Sequence, residues 1–549
     1  METYTVQTKN YRTFSIHSSD GTCIETLYTN QRVKYCLPGD TVVLNSKTNC
    51  YMIVSRANYP LLAGRLELAS KTKYGMTKKG YPMYLFLPFR KEFPPFIVGC
   101  SEKKPTKNRL ALIEFENWLD TSHLPRGSIQ QMIGTCGDFD AEKKALLFAH
   151  SPWKYPSKMA VIVTDPFEKY MKREMTPPFT FSIDPPGCCD VDDVISIDIK
   201  KDSIELWISI ADVASAISPS SQIDDFASMI SQTTYCNGEV VRPMLPLEYS
   251  HGVCSLLQGE MRLGISLILK FLTKEGTKEN CVEKRWARTQ ILNRQQYTYD
   301  TFVENGTKDG IPVEALKECL TKLGDSSQKG DSSDDVHKWV EIAMLTYNKE
   351  AASLLRTANM GILRRHAGAD QERWTAYEAL KPGLGRLAEA SAQYCFPADD
   401  NLQHKGLGAE AYCHASSPIR RYADLVNQRA IHAILDKKEQ KAQNISWKEL
   451  AHMNQRSRDI KHYERDVSFL KIIQTSFKKT GLNSLVLGKK EVEAFVNTWK
   501  YSLWIEEWSQ IVSWKTTELY EIGQTLELDY FLDMENRFWK DRIVFRLRN

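Results

Sequence analysis

The hydrophobic residues of the first 175 positions form short runs, separated by connections rich in Gly, Pro and Lys. Runs of this length between turn signals predict many short β-strands, which is typical of small barrels. The clearest predicted strands are residues 41–44, 51–54, 84–87 and 110–113. We therefore expect two OB-like barrels, at residues 1–70 and 71–175, with a turn at Pro125-Arg126-Gly127 near the end of the second.

The pattern changes in the centre of the chain. Residues 179–183, 194–199 and 204–210 are predicted strands, and after residue 335 the apolar residues recur at helical spacing. Long helices are predicted over residues 336–355, from Ser417-Pro418 to about 435, and over 447–478. Ser as N-cap and Pro at the first helical position support the start of the second helix. The polar segment 326–335 is predicted to be a surface loop.

Apolar and polar residues alternate again after residue 483, at 502–505, 525–528 and 543–545, which predicts a third small barrel. The chain has 549 residues, more than the roughly 250–300 that one core supports. Several domains are therefore expected. The mixture of helical and β segments predicts an α+β protein, with a mixed α/β domain between small β-barrels.

Composition narrows the function only slightly. The net charge of +4 does not by itself indicate nucleic-acid binding, so any positive surface must be local. None of the 13 cysteines forms a CxxC pair, which favours reduced thiols in the cytosol or nucleus. The polar N-terminus and the absence of an apolar run of about 18 residues predict neither a signal peptide nor a membrane span.

Four aspartates fall within ten residues between the first two central strands: Asp184, Asp190, Asp192 and Asp193. Carboxylates this close repel one another, and a divalent cation such as Mg²⁺ would offset the repulsion. A metal held there could activate water and neutralise charge on a phosphodiester. A solvated acidic loop is an equal alternative, whereas Val194 and the lack of a following Gly do not fit an EF-hand calcium loop.

A second candidate is the segment Ser417-Pro-Ile-Arg420-Arg421-Tyr-Ala-Asp424-Leu. Two arginines in a first helical turn oppose the helix dipole unless an anion is present. Free N–H groups and two guanidiniums at a helix N-terminus could together bind a phosphate. Alternatively, Arg421 could pair with Asp424 at i,i+3. We expect both, with Arg421 structural and Arg420 functional.

Together these motifs resemble the signatures of the RNase II/RNase R (RNB) family of 3′→5′ exoribonucleases. Further motifs match in family order over about residues 178–480. They are Ile210-Ala-Asp-Val213, Arg242-Pro-Met-Leu-Pro246 with Ser250, Cys254-Ser-Leu256 with Arg262 and Ser266, Leu363-Arg-Arg-His366, His404-Lys-Gly-Leu407 and Glu464-Arg-Asp466. The resemblance implies an RNB catalytic domain at 176–482, a C-terminal OB-like RNA-binding barrel at 483–549, and no N-terminal PIN domain.

The resemblance also implies a role for each aspartate. Asp184 and Asp193 match metal ligands, and Asp190 matches a residue that supports the metal directly or through water. Asp192 matches the aspartate whose loss most damages catalysis while RNA binding persists. Mg²⁺ is the implied cofactor, with Mn²⁺ able to substitute.

Other residues match positions that contact RNA in the family. Arg420 matches the arginine that contacts the scissile phosphate, and Arg421 is kept as a second RNA-binding candidate. Tyr235 matches a tyrosine that stacks on the 3′-terminal base, although a core aromatic is the alternative. Glu464 matches a glutamate near the terminal nucleotide. One departure is Gln428 before Arg429, where the family usually has histidine.

The resemblance therefore implies a magnesium-dependent hydrolytic exoribonuclease that degrades single-stranded RNA to nucleoside 5′-monophosphates. A catalytically silent RNB-fold RNA-binding regulator is the alternative, and the four retained aspartates favour activity. A nuclease acting mainly on single-stranded DNA is a third hypothesis. We expect a monomer that binds single-stranded RNA, without a protein partner or membrane contact, in the cytoplasm or alternatively in the nucleus or an organelle.

Overall fold

The structure is a computed structural model that describes residues 2–103, 105–153, 173–236, 238–272, 283–324, 335–437, 445–475, 479–492, 497–533, 536 and 538–548. It divides into two compact units. The first combines Met1–Tyr155 with Asp459–Asn549, and the second is Pro156–Arg458. The predicted loop at 326–335 lies outside the described residues, except for its last residue.

The strands are β1 (Tyr4–Thr8), β2 (Phe14–His17), β3 (Cys23–Leu27), β4 (Thr41–Asn45), β5 (Cys50–Ser55), β6 (Leu62–Leu66), β7 (Met83–Pro88), β8 (Phe96–Gly99), β9 (Arg109–Asn117), β10 (Arg126–Thr135), β11 (Glu174–Met175), β12 (Phe179–Ile183), β13 (Asp193–Ile199), β14 (Ser203–Ala211), β15 (Thr234–Cys236), β16 (Glu239–Arg242), β17 (Met261–Leu272), β18 (Glu283–Leu292), β19 (Gln295–Tyr297), β20 (Leu363–Arg365), β21 (Gln393–Cys395), β22 (Leu482–Glu491), β23 (Trp499–Ile505), β24 (Gln510–Thr516), β25 (Thr525–Leu532) and β26 (Ile543–Leu547). The α-helices are α1 (Phe139–His150), α2 (Val213–Ala216), α3 (Gln222–Ile230), α4 (Tyr299–Asn305), α5 (Val313–Leu323), α6 (Val336–Ala358), α7 (Gln371–Leu380), α8 (Tyr422–Leu435) and α9 (Trp447–Thr475).

The first unit contains three five-stranded modules. The first sheet has the strand order β3-β2-β1-β4-β5. The last sheet has the order β24-β23-β22-β25-β26, so its five strands are arranged in the same way as those of the first. Between them in sequence, β6 to β10 form a closed barrel in which β8 and β10 are parallel and the other pairs antiparallel. This is the topology of an OB-fold barrel. The strands predicted in all three modules are confirmed.

Two predictions for this unit are wrong: the end of the first module and the turn in the second. β6 pairs with β7 and β9, so the first module ends between Ser55 and Leu62 rather than at residue 70. The predicted turn at residues 125–127 instead begins the last barrel strand, because Arg126 and Gly127 pair with Ile97 and Val98 of β8. Both errors have the same cause. Pairing between strands that are distant in sequence decides where the first module ends and where the last strand of the barrel begins.

The second unit is built on a seven-stranded mixed sheet with the order β11-β18-β17-β14-β13-β12-β19. Its central strands β13, β14 and β17 are buried along most of their length, as expected of near-continuous apolar runs. Helices α5 and α6 pack on one face through Leu316, Leu320 and a stripe of alanines. The predicted central strands and the helix at 336–355 are confirmed.

The other two helix predictions need adjustment. α8 begins at Tyr422, because residues 418–420 form a turn and Arg421 is extended, with φ −134° and ψ 123°. α9 begins in the second unit and ends in the first at Thr475, so the catalytic domain expected at 176–482 is not one compact body. The expected end of this helix at 476–478 lies outside the described residues. Among the described helices, none has the length and hydropathy needed to cross a membrane.

Candidate functional site

The aspartate cluster lies where the chain leaves β12 and returns as β13. Asp184 directly follows β12, and its backbone N–H donates to the Tyr297 carbonyl at 2.9 Å. Asp193 is the first residue of β13 and pairs with Ile210 of β14. Because β12 and β13 are antiparallel, the end of one strand lies beside the start of the other. The two predicted metal ligands therefore meet at one end of the sheet.

Two carboxyl groups of this cluster, those of Asp184 and Asp193, have raised pKa values. Burial raises the pKa of Asp184 to about 6, and the nearby charge of Asp190 acts in the same direction. Burial also raises the pKa of Asp193 well above its usual range, with Asp184 and Asp192 contributing. Asp184 Oδ2 is buried and has no hydrogen-bond partner among the described residues. A bound cation would compensate these groups.

The donor set fits Mg²⁺ better than a metal that needs a full protein cage. Within the described ranges, no three His, Cys, Asp or Glu side chains are grouped so that they could hold a metal ion. Mg²⁺ prefers oxygen ligands and is usually bound through one or two carboxylates plus waters and substrate phosphates. Asp184 and Asp193 supply carboxylates of this kind. The metal itself stays a prediction.

Asp192 is hydrogen-bonded to the segment that carries the two arginines. It is only 5% exposed, and its Oδ1 accepts the Ile419 backbone N–H at 3.0 Å. Its Oδ2 accepts a hydrogen bond from Arg420 Nε at 3.3 Å. Burial raises the pKa of Asp192 to about 7, and the Arg420 charge opposes this shift. Asp192 thus joins the aspartate loop to the segment that carries the arginines.

The two arginines have different surroundings. Arg421 donates from Nη2 to Asp424 Oδ1 at 2.8 Å, and Asp424 is fully buried, which confirms the structural ion pair. The Arg420 side chain is 42% exposed, and its Nη2 donates to Ser417 Oγ at 3.1 Å. The Arg420 side chain is therefore partly exposed, whereas that of Arg421 is mostly buried and paired with Asp424. RNA binding by either arginine stays a prediction.

The helix N-terminus does not form the phosphate site expected from the sequence. The Tyr422 N–H donates to the Ser231 carbonyl at 2.8 Å, and the Asp424 N–H donates to the Arg421 carbonyl at 3.2 Å. These N–H groups are therefore taken. Anion binding at this point would depend on the Arg420 side chain rather than on the helix end.

Tyr235 lies beside the aspartates. Its hydroxyl donates to Asp190 Oδ2 at 3.2 Å, and the thiol of Cys188 lies 3.6 Å from Asp190 Oδ1. Tyr235 is half-buried, and burial raises the pKa of its hydroxyl. This position agrees with a functional tyrosine better than with a core aromatic, although base stacking stays a prediction. Glu464 is an exposed residue of α9 in the first unit, and its predicted role also stays a prediction.

Sequence reasoning missed several residues that shape the site. Asn348 holds the residues that lead to the two arginines, and it has no local sequence signal for this role. Gln428, which stands where the family usually has histidine, is fully buried. Its Nε2 donates to the Ala211 carbonyl at 2.6 Å, and its Oε1 accepts the Ala214 N–H at 3.2 Å. Gln428 therefore fixes α8 to the chain after β14.

Comparison with known proteins identifies two domains in this chain. The RNB domain matches residues 172–329 and 304–437, and the Dis3-like cold-shock domain 2 (CSD2) matches residues 83–151. The two RNB matches together span residues 172–437 and identify this region as an RNB domain. It is 25% identical over 446 residues to the probable exosome complex exonuclease RRP44 of Caenorhabditis elegans. That alignment covers 65% of this chain and 46% of the worm protein, so the chain spans about half of this relative.

Solved structures share the fold. The apo form of Mycoplasma genitalium RNase R superposes with a TM-score of 0.72 at 18% identity, covering 100% of both chains. The same protein in complex with ribose-methylated single-stranded RNA gives a TM-score of 0.71 at 18% identity, again over 100% of both chains. Yeast Ssd1, a pseudonuclease, gives 0.61 at 15% identity over 96% of this chain and 80% of that one. The fold is therefore common to a ribonuclease and to a protein described as catalytically silent.

Proposed function

We propose that this protein is a magnesium-dependent hydrolytic 3′→5′ exoribonuclease that degrades single-stranded RNA to nucleoside 5′-monophosphates. One observation carries the proposal. Asp184 and Asp193, whose pKa values are raised, lie in the same loop as Asp192, and Asp192 accepts a hydrogen bond from Arg420. Such a site combines a place for a hard cation with a partly exposed guanidinium suited to phosphate. The match to the RNB domain and the naming of the worm relative as an exonuclease support the same activity.

Each residue of the site has a task in this proposal. Asp184 and Asp193 would hold Mg²⁺, which supplies an activated water and stabilises the leaving oxygen when bound. Arg420 stabilises negative charge on the phosphate that is cut, because a guanidinium can bind two oxygens at once. Asp192 orients Arg420 and fixes the backbone at Ile419. Tyr235 offers a ring for the terminal base.

A silent RNA-binding regulator is the second candidate, because the fold of yeast Ssd1, a pseudonuclease, is similar. All four aspartates and Arg420 are present in this chain. Asp192 accepts a hydrogen bond from Arg420, and Asp190 accepts one from Tyr235. We therefore rank activity above silence.

The decisive experiment measures product release from a 5′-labelled RNA with and without Mg²⁺ or Mn²⁺. We expect mononucleotides only with metal, and faster release from RNA than from a matched DNA oligomer. Asp192→Asn should lower release by at least about 10²-fold, because loss of one preorganised electrostatic partner costs about this much, while RNA binding persists. Asp198→Asn is the matched control, since Asp198 lies on the same strand β13 and pairs with exposed Lys200.

The outcomes separate the hypotheses. A wild-type protein that binds single-stranded RNA but releases no mononucleotide with either metal would favour the regulator. Faster degradation of the DNA oligomer would favour the DNA nuclease. Equal rates for Asp192→Asn and the wild type would contradict the role given to Asp192.

A further inference from the structure

A single buried asparagine holds the segment that leads to Arg420. Asn348, on α6, is 3% exposed and belongs to none of the motifs that indicated the site. Its Nδ2 donates to Tyr412 Oη and to Ser416 Oγ, both at 3.1 Å. Its Oδ1 accepts the Ala415 backbone N–H at 2.9 Å. Both amide hydrogens and the amide oxygen are therefore used on one short stretch, residues 412–416.

The next residues along the chain are held in turn. The Ser417 N–H donates to Asp424 Oδ1 at 2.8 Å, and the Ile419 N–H donates to Asp192 Oδ1 at 3.0 Å. Pro418 lies between them, and its ring fixes φ at that position. Three residues separate Ser416 from Arg420, and the contacts of this stretch leave its backbone little freedom. A shift at residues 415–416 would therefore move the Arg420 guanidinium.

The residue next to Asn348 connects the same helix to the sheet. Tyr347 is completely buried, and its hydroxyl donates to the Ile265 carbonyl of β17 at 3.3 Å. β17 pairs with β14, and β14 pairs with β13, which begins with Asp193. Two adjacent side chains of α6 thus connect the sheet that carries the aspartates with the segment that carries the arginine.

We propose that Asn348 is a positioning residue that sets the place of the Arg420 guanidinium relative to the aspartates. This inference rests on the proposed function, in which Arg420 contacts the scissile phosphate. Asn348 touches neither RNA nor metal, and it acts through the backbone of residues 415–420. Loss of its three hydrogen bonds should therefore slow the chemical step more than it weakens RNA binding.

The test compares Asn348→Ala with Thr289→Val in the wild-type and Arg420→Ala backgrounds. Thr289 is a fair control, because it is fully buried in the same unit and its hydroxyl shares one hydrogen bond of 2.7 Å with Ser266. We expect Asn348→Ala to lower kcat about 10- to 100-fold, as displacement of a reacting group by about 1 Å can do. KM should change less than about threefold, and Thr289→Val should leave kcat near the wild-type value.

The double mutant distinguishes positioning from general destabilisation. If Asn348 acts through Arg420, Asn348→Ala should cost little further activity when Arg420 is already alanine. Independent, multiplying losses, or a kcat for Asn348→Ala as high as that of Thr289→Val, would overturn the inference. Should Asn348→Ala fail to fold, Ser416→Ala removes one of the three bonds and should give a smaller loss of kcat with the same dependence on Arg420. A loss that multiplies with that of Arg420→Ala, or no loss at all, would likewise overturn the inference. No release of mononucleotide by the wild type would overturn the proposed function, and this inference with it.

Discussion

The aspartate loop, residues 184–193, and the arginine segment, residues 412–421, are held in opposite ways. In the loop, Asp184 has a buried oxygen without a partner among the described residues, and burial raises the pKa of several carboxyls. In the segment, the backbone N–H groups of Ala415, Ser417 and Ile419 donate to the side chains of Asn348, Asp424 and Asp192, respectively. One side therefore has charge that a cation would compensate, whereas the other is rigid before any ligand binds.

The difference suggests how the site divides its work. Charged groups without partners cost stability unless a ligand satisfies them. A segment whose backbone is held by side-chain hydrogen bonds does not need the ligand for its position and fixes a side chain in advance, which is how electrostatic catalysis avoids reorganisation. Substitutions in the two regions should therefore have different effects on stability.

The largest effect is expected from Asp424→Ala on α8, because Asp424 holds the arginine segment. Asp424 is fully buried and accepts both the Ser417 N–H and the Arg421 guanidinium. Removing one partner of a buried ion pair costs about 3–5 kcal/mol, because the other charge stays buried alone. Denaturant unfolding should show this loss. Asp436→Ala at the other end of α8 is the control, since its pair with Arg288 is more exposed and should be worth at most about 1 kcal/mol. Equal losses for the two variants would contradict the contrast.

A smaller effect, dependent on pH, is expected in the aspartate loop. The raised pKa of Asp184, about 6, and of Asp192, about 7, means that the folded protein takes up protons before the unfolded chain does. Their destabilising contribution is therefore present above pH 7 and is relieved as the pH falls toward 4. A raised pKa of this size corresponds to about 2–3 kcal/mol for Asp184. Metal-free protein should gain stability from this source between pH 8 and pH 5.5.

Thermal unfolding in EDTA and in Mg²⁺ measures this effect. Mg²⁺ at pH 8 should raise the melting temperature and reduce the pH dependence, because the cation compensates the same charges. Asp184→Asn should reduce the pH dependence in EDTA and weaken the response to Mg²⁺. Asp198→Asn, on the same strand as Asp193, should behave as the wild type does. If Asp184→Asn left the melting temperature in EDTA unchanged at both pH 8 and pH 5.5, the prediction would be contradicted.

The sequence predicted those parts of the fold that depend on neighbouring residues. Strands such as β12 and helices such as α6 follow from local hydrophobic patterns, and the four aspartates are neighbours in the chain. The boundary at residue 70 failed because β6 pairs with β9, which begins at Arg109. Local rules could not supply that pairing.

The site shows the same limit. The start of α8 was placed too early, because Ser417-Pro418 has the local pattern of a helix start while distant Asp192 takes the Ile419 N–H. Asn348 was missed since its partners lie more than 60 residues away in sequence. Neither contact can be recognised from a local sequence pattern. The candidate residues themselves were found through motif order, which carries long-range information that periodicity lacks.

The smallest effect is expected where the two regions meet, at Tyr235. Its hydroxyl donates to Asp190 of the aspartate loop, and the Thr233 N–H, two residues earlier, donates to the Arg420 carbonyl at 2.9 Å. Tyr235→Phe removes one hydrogen bond, worth about 0.5–1.5 kcal/mol, and keeps the ring. Stability should fall by no more than this. If the ring is what binds RNA, affinity for a single-stranded oligomer should stay within about threefold of the wild type, whereas Tyr235→Ala should lose about 1–3 kcal/mol of stacking. Equal losses of RNA affinity for both variants would mean that the hydroxyl bond to Asp190 organises the site and that the ring does not bind a base.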